Sequence, residues 1–135
     1  MNNRTTELLM DSRVVHTRYH GTINCLEILS CITDWTRLLK QHHELAVLIF
    51  DYTDATWAPV TKDEVIQISR ATASLTDIRK DVAMIGVVPK DIDYGLSRMW
   101  QVYSESDSSA KPEQMHIFRK AEEALTLARR IIGDT

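Results

Sequence analysis

The sequence predicts an α/β domain with a mixed, mostly parallel five-stranded sheet and four helices, in the order β-β-α-β-α-β-α-β-α. Three observations predict it. Two short apolar runs, Leu45 to Phe50 and Val82 to Val88, stop abruptly, as strands buried on both faces do. Apolar residues at helical spacing recur between and after these runs. Residues 5 to 20 read as two strands joined at Asp11-Ser12. An opening hairpin followed by alternating helices and strands gives a sheet that is parallel except near one edge, with right-handed crossovers.

Each element has its own signal. Residues 5 to about 10 and 13 to 20 form the hairpin, the second strand carrying Val14, Val15, Thr17 and Tyr19. The first helix opens on Asn24 as N-cap, with Glu27 completing a capping box and Ile23 and Ile28 placed as a hydrophobic staple. Cys25, Ile28, Leu29, Ile32, Trp35 and Leu39 make its apolar stripe, and it ends at 40 to 42. The central strand, Leu45 to Phe50, gives way at Asp51 to a loop closed by Pro59. Thr61 and Glu64 repeat the capping box for the second helix, and Val60 and Val65 repeat the staple. Val82 to Val88 is the next strand, stopped by Pro89. Leu96, Met99, Trp100 and Tyr103 mark a third helix, and the polar stretch 104 to 114 is a connection. Met115 to Phe118 is the last strand. The last helix runs from about 120 to 132, with Glu122 and Glu123 in its first turn, Arg129 and Arg130 in its last, and Gly133 as its stop.

The 135 residues suffice for one domain spanning 1–135. A net charge of −3 argues against a dedicated nucleic-acid binder and against a polybasic membrane anchor. The start, MNNRTTELLMDSR, lacks an apolar core of signal-peptide length, and no apolar run approaches the roughly 20 residues of a membrane span. The expectation is a soluble, cytoplasmic protein. Cys25 and Cys31, six residues apart on one helix, point to different sides and are read as small buried side chains. His16 and His20 share a strand face about 13 Å apart, too far for one metal ion, and are read as surface or half-buried.

In an open α/β sheet the crevice beyond the carboxyl ends of the parallel strands is where ligands and partners bind. That places Asp51, Thr53, Asp54 and Thr56 at the rim of the candidate site, with Trp57 beside them. Asp51 and Asp54 stand three apart where strand-end phosphotransfer sites want aspartates two apart. Asp91 and Asp93 are the other acids that could approach, while the hairpin strands offer none at that end. The chain has neither a glycine-rich phosphate loop nor a nucleophile elbow. No catalytic residue, metal or cofactor is assigned.

The topology, together with IFDYTDATWAPVTKDEV, AMIGVVP and HIFRKAEEAL, resembles the STAS domain, the fold of sulphate-transporter and anti-sigma-factor-antagonist proteins. Within it the chain is similar to the bacterial STAS-like group often placed with CRAL-TRIO lipid-transfer proteins. Asp51, Trp57, Thr61, Ile85 to Val88, Phe118 and Glu122 to Leu125 carry the resemblance, which covers residues 14 to 132. It implies a non-enzymatic module. Anti-sigma-factor antagonists are switched by phosphorylation of a hydroxyl at the start of the second helix, within an Asp-Ser-Ser-Gly motif. That motif is absent here. Ala58-Pro59-Val60-Thr61-Lys62 stands in its region, and Thr61 is the nearest hydroxyl.

Two classes of function follow. The first is protein–protein interaction through loop 51 to 61 and the third helix, with Trp57, Met99, Trp100 and Tyr103 as anchors and a homodimer as one form. The second is binding of a small apolar ligand or lipid near Trp57.

Overall fold

The computed structural model describes residues 4–78, 81–89 and 115–133. Five strands form one sheet: β1 (Arg4–Leu9), β2 (Val14–Ile23), β3 (Val47–Trp57), β4 (Ala83–Val87) and β5 (Met115–Phe118), ordered β1-β2-β3-β4-β5. β1 pairs antiparallel with β2, and every later pairing is parallel. The helices among the described residues are α1 (Cys25–Gln41), α2 (Lys62–Ile78) and α3 (Ala121–Ile131). The helix expected at Leu96 to Tyr103, with Met99, Trp100 and Tyr103, lies outside the described residues, as do Asp91 and Asp93.

The strands sort their side chains by alternation. Val15, Tyr19, Leu48, Phe50, Tyr52 and Met84 go to one face, where they meet Ile28, Ile32, Trp35 and Leu39 of α1 and Val65, Ile68 and Leu75 of α2. Val14, Val47, Ile49, Ile85 and Val87 go to the other and meet Ala124 and Ala128 of α3. Small residues on α3 let it lie close against β3, β4 and β5. The buried Trp35 indole is paired, its Nε1 donating to Thr17 Oγ1 at 3.0 Å. β1 is tied to α1 by Arg4, which bonds to Asp34 and Ser30.

The helix ends follow their sequence signals. The Asn24 side chain accepts from the Glu27 N–H at 3.0 Å. The Thr61–Glu64 box is reciprocal: Glu64 N–H donates to Thr61 Oγ1 and Thr61 N–H to Glu64 Oε1, each at 3.1 Å. Gly133 takes φ +75° just past α3, the left-handed conformation that a helix stop favours. Cys25 and Cys31 are free and buried, and burial pushes the Cys31 thiol up to about 11, which leaves it unreactive near neutral pH.

Two strands run further than their apolar runs. β3 does not stop at Phe50 but continues to Trp57, and β2 continues past His20 to Ile23. Each extension supports the other, with Gly21, Thr22 and Ile23 pairing with Ala55, Thr56 and Trp57. Polar residues take this stretch of β3 because only one of its faces is covered: Tyr52 and Ala55 are buried, whereas Thr53, Asp54 and Thr56 are exposed.

The hairpin turn is strained. Met10, Asp11 and Ser12 all have positive φ, at 53°, 58° and 63°. A left-handed conformation costs a side-chain-bearing residue roughly 1–2 kcal/mol, and glycine avoids that cost. Ser12→Gly is expected to stabilise the protein by about 0.5–1 kcal/mol after glycine's own unfolded-state entropy is deducted. Urea unfolding checks it, with a higher midpoint at unchanged slope as the expected result.

Candidate functional site

β2 and β3 lose register between Arg18↔Asp51 and His20↔Asp54, so Tyr19 alone faces both Tyr52 and Thr53. This is a β-bulge in β3, and Asp51 holds it. Its Oδ1 accepts from the Thr53 N–H at 2.9 Å and from the Thr53 hydroxyl. Its Oδ2 lies 2.9 Å from His16 Nε2 and 3.9 Å from Arg18 Nε. Asp51 is fully buried and His16 is 8% exposed. Burial pushes the Asp51 carboxyl up, but the bonds from His16 and Thr53 outweigh it and hold the group below the ordinary carboxylate value.

Asp51 is therefore not at a strand-end rim. It sits inside β3, and its carboxylate shapes the strand. His16 is also not a surface or half-buried side chain, because the parallel register sets it against Asp51. No pattern within residues 13 to 20 names the partner, which lies 35 residues away.

The other candidates separate. Thr53 is bound into the bulge. Asp54 is exposed beside His20, and Thr56 Oγ1 lies 3.3 Å from Thr22 Oγ1. Trp57 is half-buried, its ring edge-on to Tyr52 at 5.3 Å between centroids. The Trp57 indole Nε1 is buried and finds no acceptor among the described residues. The cavity it shares with Tyr19, Trp35, Phe50 and Ile68 has a volume of only about 10 Å³. That is about the minimum for one water.

At the carboxyl ends of the parallel strands a continuous rim remains. Ala58 N–H donates to Ile23 C=O at 2.7 Å, which fastens the loop after β3 to the end of β2. α1 and α2 therefore begin side by side, close enough for the Glu64 charge to add to burial in raising the Cys25 thiol. Thr56, Pro59, Thr61 and Lys62 are exposed there, and so is Leu26 in the first turn of α1, at 75%.

No protein-family model and no curated protein matches the sequence. Among solved structures the chain is similar to SpoIIAA, an anti-sigma factor antagonist in its unphosphorylated form, with a TM-score of 0.59 over 93% of this chain and 97% of that one. The chain has the STAS fold. At 12% identity the likeness is one of backbone arrangement. The STAS fold here keeps its mixed sheet with helices on both faces. No helix among the described residues is long and apolar enough to cross a membrane, and no group of three or more His, Cys, Asp or Glu side chains there could hold a metal ion.

Proposed function

We propose that this STAS-fold chain is a non-enzymatic regulatory module of the cytoplasm that binds another protein through the rim formed by the end of β3, the loop 58–61 and the first turns of α1 and α2. One observation carries the reading: Leu26 is 75% exposed where those turns adjoin. A large apolar side chain in water, at the sheet end where Thr56, Pro59 and Thr61 are also exposed, suits an interface centre with a polar border. Fold likeness alone does not supply function, but SpoIIAA is an anti-sigma factor antagonist, and that agrees with a protein partner.

A switch at Thr61 is the second reading. The hydroxyl is exposed at the N-terminus of a 17-residue helix, where a phosphate gains from the backbone N–H groups and the helix dipole. Glu64 and Asp63 in the same turn oppose that charge, so a phosphate would break the capping box and remodel the rim. The apolar-ligand reading ranks last, because the cavity beside Trp57 suits one water molecule and not an acyl chain.

Native mass spectrometry of the tagged chain purified from its host tests the proposal. The expected result is a complex with a second protein, or with a second copy. Leu26→Asp and Thr61→Asp should abolish it, while Leu8→Asp, on an exposed leucine of β1, leaves it intact. Aspartate at 61 keeps the cap, so loss of binding there reports charge and not unfolding. A complex that survives Leu26→Asp would sink the rim as the docking surface. A mass increase of about 80 Da that survives denaturation would favour the switch.

A further inference from the structure

On the sheet face away from α1 and α2, β1 and β2 enclose a recess of about 90 Å³ lined by Thr5, Glu7, His16, Arg18 and His20. Register explains the gathering. Thr5 pairs with Arg18 and Glu7 with His16, and all share the face on which Arg18 meets Asp51. Sheet faces in α/β folds are normally lined with apolar residues under a helix. Here every lining residue is polar, and nothing in the core needs them to be.

The hydrogen-bonding capacity of this recess is only partly used. Asp51, beneath it, is saturated by His16 and Thr53. Arg18 Nε stands 3.9 Å from Asp51 and the side chain is about half exposed, and its two terminal nitrogens have no partner among the described residues. With Asp51 ionised, His16 donates through Nε2. Its other ring nitrogen, Nδ1, has no partner among the described residues. Thr5 Oγ1 and His20 Nε2 lie 3.2 Å apart and share one bond, which leaves the threonine oxygen a further acceptor or donor site. Glu7, opposite His16, adds another acceptor.

We propose that this recess binds a small oxyanion that still carries an O–H, such as hydrogen phosphate, a phosphate monoester or a hydroxycarboxylate. The anionic oxygens go to the Arg18 fork and the Thr5 hydroxyl. The O–H is donated to Glu7, and His16, which buried Asp51 orients through Nε2, borders the site. Glu7 selects by charge: it repels a fully ionised anion and accepts from a protonated one. The volume suits a single such group and falls well below the roughly 300 Å³ of sites for larger ligands. The recess is on a different face from the docking rim, and the inference does not depend on that reading.

Titration of the full chain with inorganic phosphate, glycolate and sulfate, followed by the imidazole NMR signals of His16 and His20, tests it. Sulfate matches phosphate in shape but has no proton near neutral pH. Phosphate or glycolate should saturate the signals at least about tenfold more tightly than sulfate. Whichever of the two does so identifies the anion. Arg18→Gln should weaken that binding by about tenfold or more. Glu7→Gln, on an exposed strand position, should leave the fold intact and narrow the gap between phosphate and sulfate. Equal binding of phosphate and sulfate, binding indifferent to Arg18→Gln, or no saturation by phosphate or glycolate would each overturn the assignment.

Discussion

Gly86→Ala is expected to destabilise the protein by about 2–3 kcal/mol, the upper part of the range for overpacking a well-filled core. β4 is the middle strand of the β3-β4-β5 set, and Gly86 pairs with Phe50 on one side and Ile117 on the other. A Cβ at 86 would lie 2.5 Å from Phe50 Cε2 and 2.9 Å from Ile117 Cδ1. The Phe50 ring cannot simply swing away. It is 2% exposed, 5.8 Å from the Trp35 ring and 6.0 Å from that of Tyr52. The glycine is thus the hollow into which an aromatic side chain from the neighbouring strand fits. Urea unfolding should show a lower midpoint at unchanged slope. Phe50→Leu should be destabilising in the wild-type background and much less so beside Gly86→Ala, because the smaller side chain removes the clash. Additive losses from the two changes would show that the methyl is accommodated elsewhere.

That hollow shows what a single chain of letters conveys and what it withholds. AMIGVVP reads as a buried strand from its apolar run alone, and the glycine in it carries no mark of which ring it receives. Local signals worked where the physics is local. The N-cap at Asn24, the box at Thr61 and the stop at Gly133 each involve residues within four positions, and the structure forms all three. Core-facing stripes were legible for the same reason, since Ile28, Ile32, Trp35 and Leu39 repeat at the helix period and are buried. The end of β3 was not legible. An acid after six apolar residues looks like a strand terminus, and only pairing with Gly21, Thr22 and Ile23 keeps Ala55, Thr56 and Trp57 extended. The candidate site suffered most, because His16 acquires its meaning from a partner 35 residues away. A faint signal did exist: His16, Arg18 and His20 alternate with Val15, Thr17 and Tyr19, which marks a polar face on a strand otherwise expected to be covered.

Asp51→Ala is expected to be the most costly of these changes, about 3–5 kcal/mol, because several donors lose one shared buried acceptor at about 1–3 kcal/mol each. The variant strands several groups together. The His16 Nε2, the Thr53 N–H and the Thr53 hydroxyl all lose their acceptor, and the bulge loses the side chain that closes it. His16→Ala should cost less, because Thr53 still satisfies one carboxylate oxygen and Arg18 stands 3.9 Å from the other. In a double-mutant cycle the two losses should fall well short of additive. The pH dependence has a fixed sign. The folded-state carboxyl titrates below its ordinary value, so its contribution is complete above about pH 3.9 and is lost as pH falls further, through the lower folded value. Asp51→Asn keeps the shape but has no proton to take up there. The stability gap between wild type and Asp51→Asn should therefore be widest above about pH 4 and shrink in stronger acid. A gap that stays constant down to the acid limb would mean that the carboxylate acts only through its shape. The bulge would then be held by the path of the strand, and the charge of Asp51 would contribute nothing to it.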